Sequence, residues 1–279
     1  MQIHEIDVNP DLTMEIDNIL NNLKRSGCVY HSHDDIFRDR SGWLVFQKHE
    51  MDFWRSKTHN SDYQPDPLKN FINFFKHWGV ENDVFSGKTV LEIGTGPFGF
   101  FSAVKKLGDS YLPVHLFMLD PLMDFYQQLR IFDLMPANAI KIQGVGEKTP
   151  FPNHFFDIIV TTNTLDHVDV PDKFIFEMSR ILKKDGMILL SVHTVHPLLK
   201  KAHKAIKIFD KNHPYHFTPL QVEEIFVKNG FCIDKKLCIP IYKEDPVPQD
   251  ISIWRQIIFH MAFRVMDTFY ARVISNKEF

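Results

Sequence analysis

The sequence predicts an α/β protein with a doubly wound, mostly parallel sheet of seven strands and helical caps before and after it. Three observations carry this. From Lys88 onward, short apolar runs alternate with helical ones, the pattern of βαβ units around a parallel sheet. The segment VLEIGTGPFGF takes a buried run straight into glycines, as a strand-to-helix turn beneath a ligand requires. The flanking segments instead carry apolar residues at helical spacing.

Residues 1–85 read as the N-terminal cap. In DLTMEIDNILNNLKRSG, Asp11 is placed to cap, Ile16, Ile19, Leu20 and Leu23 share a face, and Gly27 offers a left-handed stop. In DPLKNFINFFKHWG, Asp66 caps, Pro67 takes the first turn, and Leu68, Phe71, Ile72, Phe75 and Trp78 recur before Gly79. Residues 28–65 between them are polar and irregular. Residues 86–245 form the core, with strands expected near 89–93, 115–119, 139–142, 155–161 and 187–193. Helices start near Phe98, where Pro97 opens the turn, near Leu122 and at Pro171, the last ending at KKDG where Gly186 turns the chain. In FTPLQVEEIFVKNG, Thr218 and Gln221 form a capping box, Phe217 and Val222 a hydrophobic staple and Gly230 the stop. Strand FCIDKKLCI follows. Residues 246–279 read as a C-terminal helical cap, with Ile251, Trp254, Ile257, Ile258, Met261, Val265 and Phe269 on one face, and YARVISNK as a last antiparallel strand.

Composition narrows the function. Thirty-two Lys and Arg against 35 Asp and Glu leave a net charge of -3, without the positive field that gathers nucleic acid. No nucleic-acid partner is expected. The three cysteines, Cys28, Cys232 and Cys238, show no CxxC spacing, which fits reduced thiols and a cytoplasmic location. No uncharged run reaches the roughly 18 residues of a membrane span, and the first residues lack the basic and apolar regions of a signal peptide. The 26 Phe suit an aromatic core before they suit an apolar cavity.

Gly94, Gly96 and Gly99 match GxGxxG, and Asp120 stands near the end of the next strand, where dinucleotide enzymes place a ribose acid. Taken alone, the match leaves an NAD(P)-binding oxidoreductase open. Glu92, two residues before Gly94, adds a strand-end carboxylate. With it, the segment resembles motif I of the class I S-adenosylmethionine (SAM)-dependent methyltransferases. PFPNHFFDIIVTTNTLDHVDVP is similar to the fourth strand and following loop of that family's small-molecule, type 11-like branch, and HFTPLQVEEIFVKNGF to its helix before strand six. The resemblance covers residues 88–240.

It implies a Rossmann-like methyltransferase fold, SAM as cofactor and S-adenosylhomocysteine (SAH) as product. Glu92 would approach the methionine ammonium, Gly94, Thr95, Gly96 and Gly99 would form the loop beneath the ligand, and Asp120, followed by Pro121 and Leu122, would accept the ribose hydroxyls. Two departures stand out. Phe98 occupies the family's third glycine position, and Val145 stands where an Asp commonly binds adenine, leaving the base to be held by the Gly146 backbone, by Glu147 or by apolar contact. Asn163 and Leu165 would line the methionine end.

A sulfonium methyl transfer needs alignment first and a base only for a protonated acceptor. His167 is the first candidate base, its ordinary pKa being near working pH. Asp166 beside it and His216 across the rim are the other catalytic candidates. His193, His196, His213 and His216 are unremarkably spaced with no carboxylate among them, so no metal is expected. The HSHDD run from His31 to Asp35 reads as a solvated loop. No Asn-Pro-Pro-Tyr sequence follows strand four and no Pro-Cys nucleophile is present. O-methylation of a small-molecule acceptor is therefore expected, with N- and C-methylation open. His49 to His59 resembles the aromatic helix that closes over SAM in relatives, with Phe53 or Trp54 toward the pocket. Lys200, Lys201, Lys204 and Lys207 on an amphipathic stretch suit a solvated face, an anionic acceptor or peripheral membrane contact. Monomer and homodimer are both open. A non-catalytic SAM-binding scaffold is the second rival.

Overall fold

A computed structural model describes residues 10–32, 41–71, 73–197, 213–241 and 266–275. The Lys200 to Lys207 stretch, the helix expected from Ile251 and all but the first two residues of the HSHDD run lie outside them. In chain order the elements are α1 (Pro10–Asn21), β1 (Lys24–Ser26), β2 (Val29–His31), α2 (Ser41–His59), α3 (Pro67–Phe71), α4 (Phe74–Trp78), β3 (Thr89–Ile93), α5 (Phe101–Leu107), β4 (His115–Asp120), α6 (Met123–Tyr126), β5 (Ile140–Gln143), β6 (Phe156–Thr162), α7 (Pro171–Ile181), β7 (Leu182–Val195), α8 (Pro219–Lys228), β8 (Phe231–Pro240) and β9 (Met266–Ser275).

One sheet runs through the molecule in the order β1-β2-β5-β4-β3-β6-β7-β9-β8. It has nine strands where seven are expected. The two additions are the hairpin β1–β2, whose second strand pairs in parallel with β5, Val29 opposite Lys141. Gly27 is therefore the turn of this hairpin and not the stop of α1, which ends at Asn21. Three-residue strands, one of them fully exposed, carry too little alternation to be read against helical neighbours. Asp11 lies inside α1 and not at its cap.

Strand alternation puts Leu91 and Ile93 in one core and Val90 in the other. The first core packs under α7 and α8 through Phe174, Met178, Val222 and Phe226. The second is aromatic, with Phe75, Trp78, Phe85, Phe100 and Phe101 buried together. Much of the phenylalanine content is thus structural.

Other boundaries also move. α5 starts at Phe101, after a turn, and not near Phe98. Residues 41–59, read as irregular before His49, are one helix. β7 already begins at Leu182, and Gly186 lies within it, where a side chain would press on Leu182 and the Asp157 carbonyl. The capping box of Thr218 and Gln221 is formed, with Phe217 and Val222 buried beside it. Asp66 holds the start of α3 by accepting from Leu68 and Lys69, and its bond to Lys106, with these, lowers its pKa. β9 inserts antiparallel between β7 and β8, as the last strand expected from YARVISNK. It includes Phe269, so the expected C-terminal helical face cannot extend that far.

Candidate active site

Parallel strands β3, β4, β5 and β6 end along one rim, and ligands in open α/β sheets bind outside these carboxyl ends where strand order reverses. Here the order reverses at β3, which pairs with β4 on one side and β6 on the other. The glycine loop leaves β3 at this point.

Glu92 is fully buried. Its Oε1 accepts from Phe100 N at 2.6 Å and its Oε2 from Phe101 N at 3.4 Å, so it holds down the start of α5. Gly99, at φ 68, makes room for this, because a Cβ there would meet the Glu92 carboxylate and Met118. Burial pushes the Glu92 pKa up to about 8, with Asp120 adding to it and the two amides opposing.

Asp120, also buried, ties the next strand tip to the same loop. Its Oδ2 accepts from Gly96 N at 3.0 Å and its Oδ1 from Leu122 N at 2.8 Å. The second bond makes Asp120 the turn-former ahead of α6, a use compatible with ligand binding because a carboxylate offers about four acceptor sites. Burial pushes its pKa up to about 7, the amides opposing and Glu50 of α2 adding. Burial first, then Asp120 and Glu50, also raise the Tyr126 hydroxyl well above its usual range. The pocket therefore collects carboxylates in a dry place, an environment that favours a cationic guest.

Gly94, at φ 72, passes under Thr164, whose side chain a Cβ would overlap. The single proton of Thr164 Oγ1 lies within reach of the carbonyls of Ile93, Gly94 and Thr162, which holds the β3 and β6 tips together. Sequence reasoning missed this residue; a small β-branched hydroxyl inside TTNTLDHV gave no signal of its own. By contrast a Cβ at Gly96 meets nothing within 4 Å, which leaves open space above the loop beside Asp120. Thr95 is buried, Pro121 half-buried, and Leu122 buried in the aromatic core.

Val145 is buried against Trp43 of α2, an apolar pair at the position where the resemblance expects an Asp. Glu147 turns elsewhere, its Oε1 accepting from Asp169 N at 2.7 Å and Val170 N at 3.3 Å ahead of α7. Gly146 is buried beside it. Asn163 stands exposed at φ 51, the strained tip of β6, with its amide on the Ser191 carbonyl. Leu165 is wholly buried in the core beneath the loop, so its side chain packs the fold there. Phe98 packs against Trp54 and Phe71, and Trp54 donates to Glu50 at 2.6 Å. Trp54, and not the exposed Phe53, faces the loop.

Across the rim, Asp166 and His167 lie beside a chain segment far away in sequence. Asp166 Oδ2 is 3.8 Å from His213 Nε2, and the His167 and His213 rings are 4.4 Å apart. His216 lies farther along, its ring 6.4 Å from that of His213. The carboxylate missing from the histidine run is thus Asp166, which corrects the reason for expecting no metal. Tyr215 fastens the two segments, its N donating to the Asp166 carbonyl at 3.3 Å and its hydroxyl to the Asp169 carbonyl at 2.7 Å. Trp43 Nε1 donates to the His167 carbonyl at 2.8 Å.

Comparisons with known proteins bear on the family and the fold. The family profile described as a methyltransferase domain matches residues 80–236. An uncharacterized methyltransferase of Mycobacterium tuberculosis is 30% identical over 105 residues, which are 38% of this chain and 39% of that protein. The match thus spans less than half of the curated relative. Among solved structures, a Haemonchus contortus phosphoethanolamine N-methyltransferase 2, in complex with phosphomonomethylethanolamine and SAH, aligns with TM-score 0.61 at 15% identity, over 99% of this chain and 75% of that one. The cyclase SpnF aligns with TM-score 0.59 at 11% identity, over 83% and 94%. These two likenesses are of fold. Among the described residues no helix is long and apolar enough to cross a membrane.

Proposed function

We propose, from the premise that this chain belongs to the class I SAM-dependent methyltransferases, that it transfers a methyl group from SAM to a small-molecule acceptor, with oxygen as the nucleophile. SAM supplies, when bound, an electrophilic methyl on a cationic sulfur. The residues fit such a guest. The open space over Gly96 and the spare acceptor sites of Asp120 suit the ribose, Val145 and Trp43 give adenine an apolar wall, and the buried carboxylates favour positive charge.

The observation that carries this reading is the use of Glu92. A dinucleotide brings a pyrophosphate that seeks the amides at a helix start. Here the buried Glu92 carboxyl group already accepts from the first amides of α5, so a phosphate there would find its donors taken. An NAD(P)-binding oxidoreductase is disfavoured on that ground. Glu92 accordingly acts on the ligand by shaping the loop.

On the acceptor side, the group brought beside the methyl loses its proton to the cluster at the rim, with His167 as the acceptor of that proton and Asp166 and His216 flanking it. Bound SAM would supply the methyl carbon to that oxygen and leave as SAH, keeping the electron pair of the carbon–sulfur bond.

Titration calorimetry with SAH and with NADH tests the cofactor reading: SAH is expected to bind near one equivalent and NADH not to bind. NADH binding in preference to SAH overturns it. His167→Ala should lower turnover against a small-molecule pool by 100-fold or more, general-base contributions being on the order of 10²–10⁴, while SAH affinity holds. SAH binding with no turnover in any pool favours a SAM-binding scaffold.

A further inference from the structure

We infer that Asp166, His167 and His213 form a binding site for one divalent transition-metal ion of the zinc class, open on the side where an acceptor would enter. One ligand atom from each residue lies within 4.8 Å of the others. Two imidazoles and a carboxylate are a donor set that zinc and its neighbours take, with bonds of roughly 2.0–2.2 Å. The Asp166–His213 separation of 3.8 Å is a span that one ion between them closes with small side-chain movements.

A second observation points to a ligand. Asp166 is 2% exposed, and its Oδ1 is buried without a hydrogen-bond partner among the described residues. A carboxylate oxygen withdrawn from water without compensation is costly, and a cation held at the same carboxyl group offsets that cost. The scaffold around it is fixed. Tyr215 bonds the Asp166 and Asp169 carbonyls, Trp43 bonds the His167 carbonyl, the His167 amide donates to the Thr164 carbonyl, and Val195 N donates to the Phe217 carbonyl beyond His213. Such outer contacts hold ligands in place before the ion arrives. Three protein ligands leave a position free, the arrangement of catalytic and not structural zinc.

Ion binding stands on this geometry alone. Its use rests on the proposed function: an acceptor oxygen in the free position would be polarised by the ion, which lowers its pKa, so that in the metal-loaded chain His167 serves as a ligand and the base role given to it above belongs to the metal-free chain. Thr164, two residues before Asp166, packs on Gly94, so the ion would stand beside the glycine loop.

The test uses the full chain, freed of metal by a chelator that is then removed, and titrated with zinc chloride by calorimetry and with cobalt(II) by visible absorption. One equivalent is expected to bind with micromolar affinity or tighter, with a tetrahedral cobalt spectrum. Asp166→Asn and His213→Ala should each weaken binding by at least 100-fold, and His196→Ala, outside the group, by less than threefold. Circular dichroism and thermal melting, measured on every protein, report that the fold is intact, and SAH affinity is measured alongside. Absence of stoichiometric binding, or binding that ignores both substitutions, overturns the inference. Zinc binding without SAH binding would retain this site and refute the methyltransferase reading, whereas SAH binding without zinc binding would do the reverse.

Discussion

On the glycine side of the pocket, Glu92, Gly94, Gly96 and Gly99 come from one turn of chain, and a single neighbouring strand tip adds Asp120. On the opposite side, Asp166 and His167 meet a histidine delivered by the segment before α8, and Tyr215 and Trp43 hold the arrangement by bonds to backbone carbonyls. The first wall is set by local backbone conformation. The second depends on the fold having already brought two loops together. Substitutions should therefore act differently on the two sides, the glycine wall governing cofactor affinity and the histidine wall governing what happens to the acceptor.

The largest effect is expected at Gly94. Alanine there must adopt φ 72 and overlap Thr164, and the left-handed conformation alone costs about 1–2 kcal/mol. SAH affinity should fall by about 100-fold or more, which calorimetry reads, and Thr164→Ala in the same chain should restore part of it. An unchanged Kd for Gly94→Ala would break the contrast between the walls.

Asp120→Ala comes next, with an expected loss of about 1–3 kcal/mol in SAH binding through charge-assisted bonds. Its pKa near 7 gives a sharper form of the test. A ribose acceptor works best ionised, so affinity should rise with pH through about 7, and Asp120→Asn should flatten that rise.

The same burial sets a stability trend. Glu92 and Asp120 titrate in the folded protein near 8 and 7, well above their ordinary values of 4.5 and 3.8. Raised carboxyl pKa values mean that the fold holds protons the unfolded chain has released. Their contribution is complete below the ordinary values and lost as pH rises through 7 and 8. The ligand-free Tm should fall between pH 6 and 9, and Glu92→Gln should lessen the fall; a Tm that rises over this interval would contradict it. The smallest effect belongs outside both walls: Thr218→Ala removes the α8 cap bond, costing about 0.5–2 kcal/mol of stability, with SAH affinity unmoved.

The same division explains what the chain disclosed before its structure. The βαβ rhythm, the glycine loop, Asp120 and the capping box at Thr218 are local patterns, and each stands where the periodicity places it. The hairpin β1–β2 escaped because its pairing partner is β5, more than a hundred residues away, and its own three-residue strands have no pattern to read. Glu92 was legible as a strand-end acid but not as the buried anchor of α5, since the direction of a side chain at a strand tip depends on the loop that folds over it. Glu147 likewise faces the α7 approach and not a pocket. The pairing of Asp166 with His213 was invisible for the same reason: spacing along a chain says nothing about two loops brought together by contacts such as those of Tyr215.

The place of β9 between β7 and β8 has a bearing on how the molecule is made. As the polypeptide leaves the ribosome, β8 emerges before the only strand it pairs with among the described residues, and β7 must wait with an unsatisfied edge for the same late arrival. A nascent chain stalled short of residue 266 would present two open strand edges, the kind of surface that recruits chaperones or other copies.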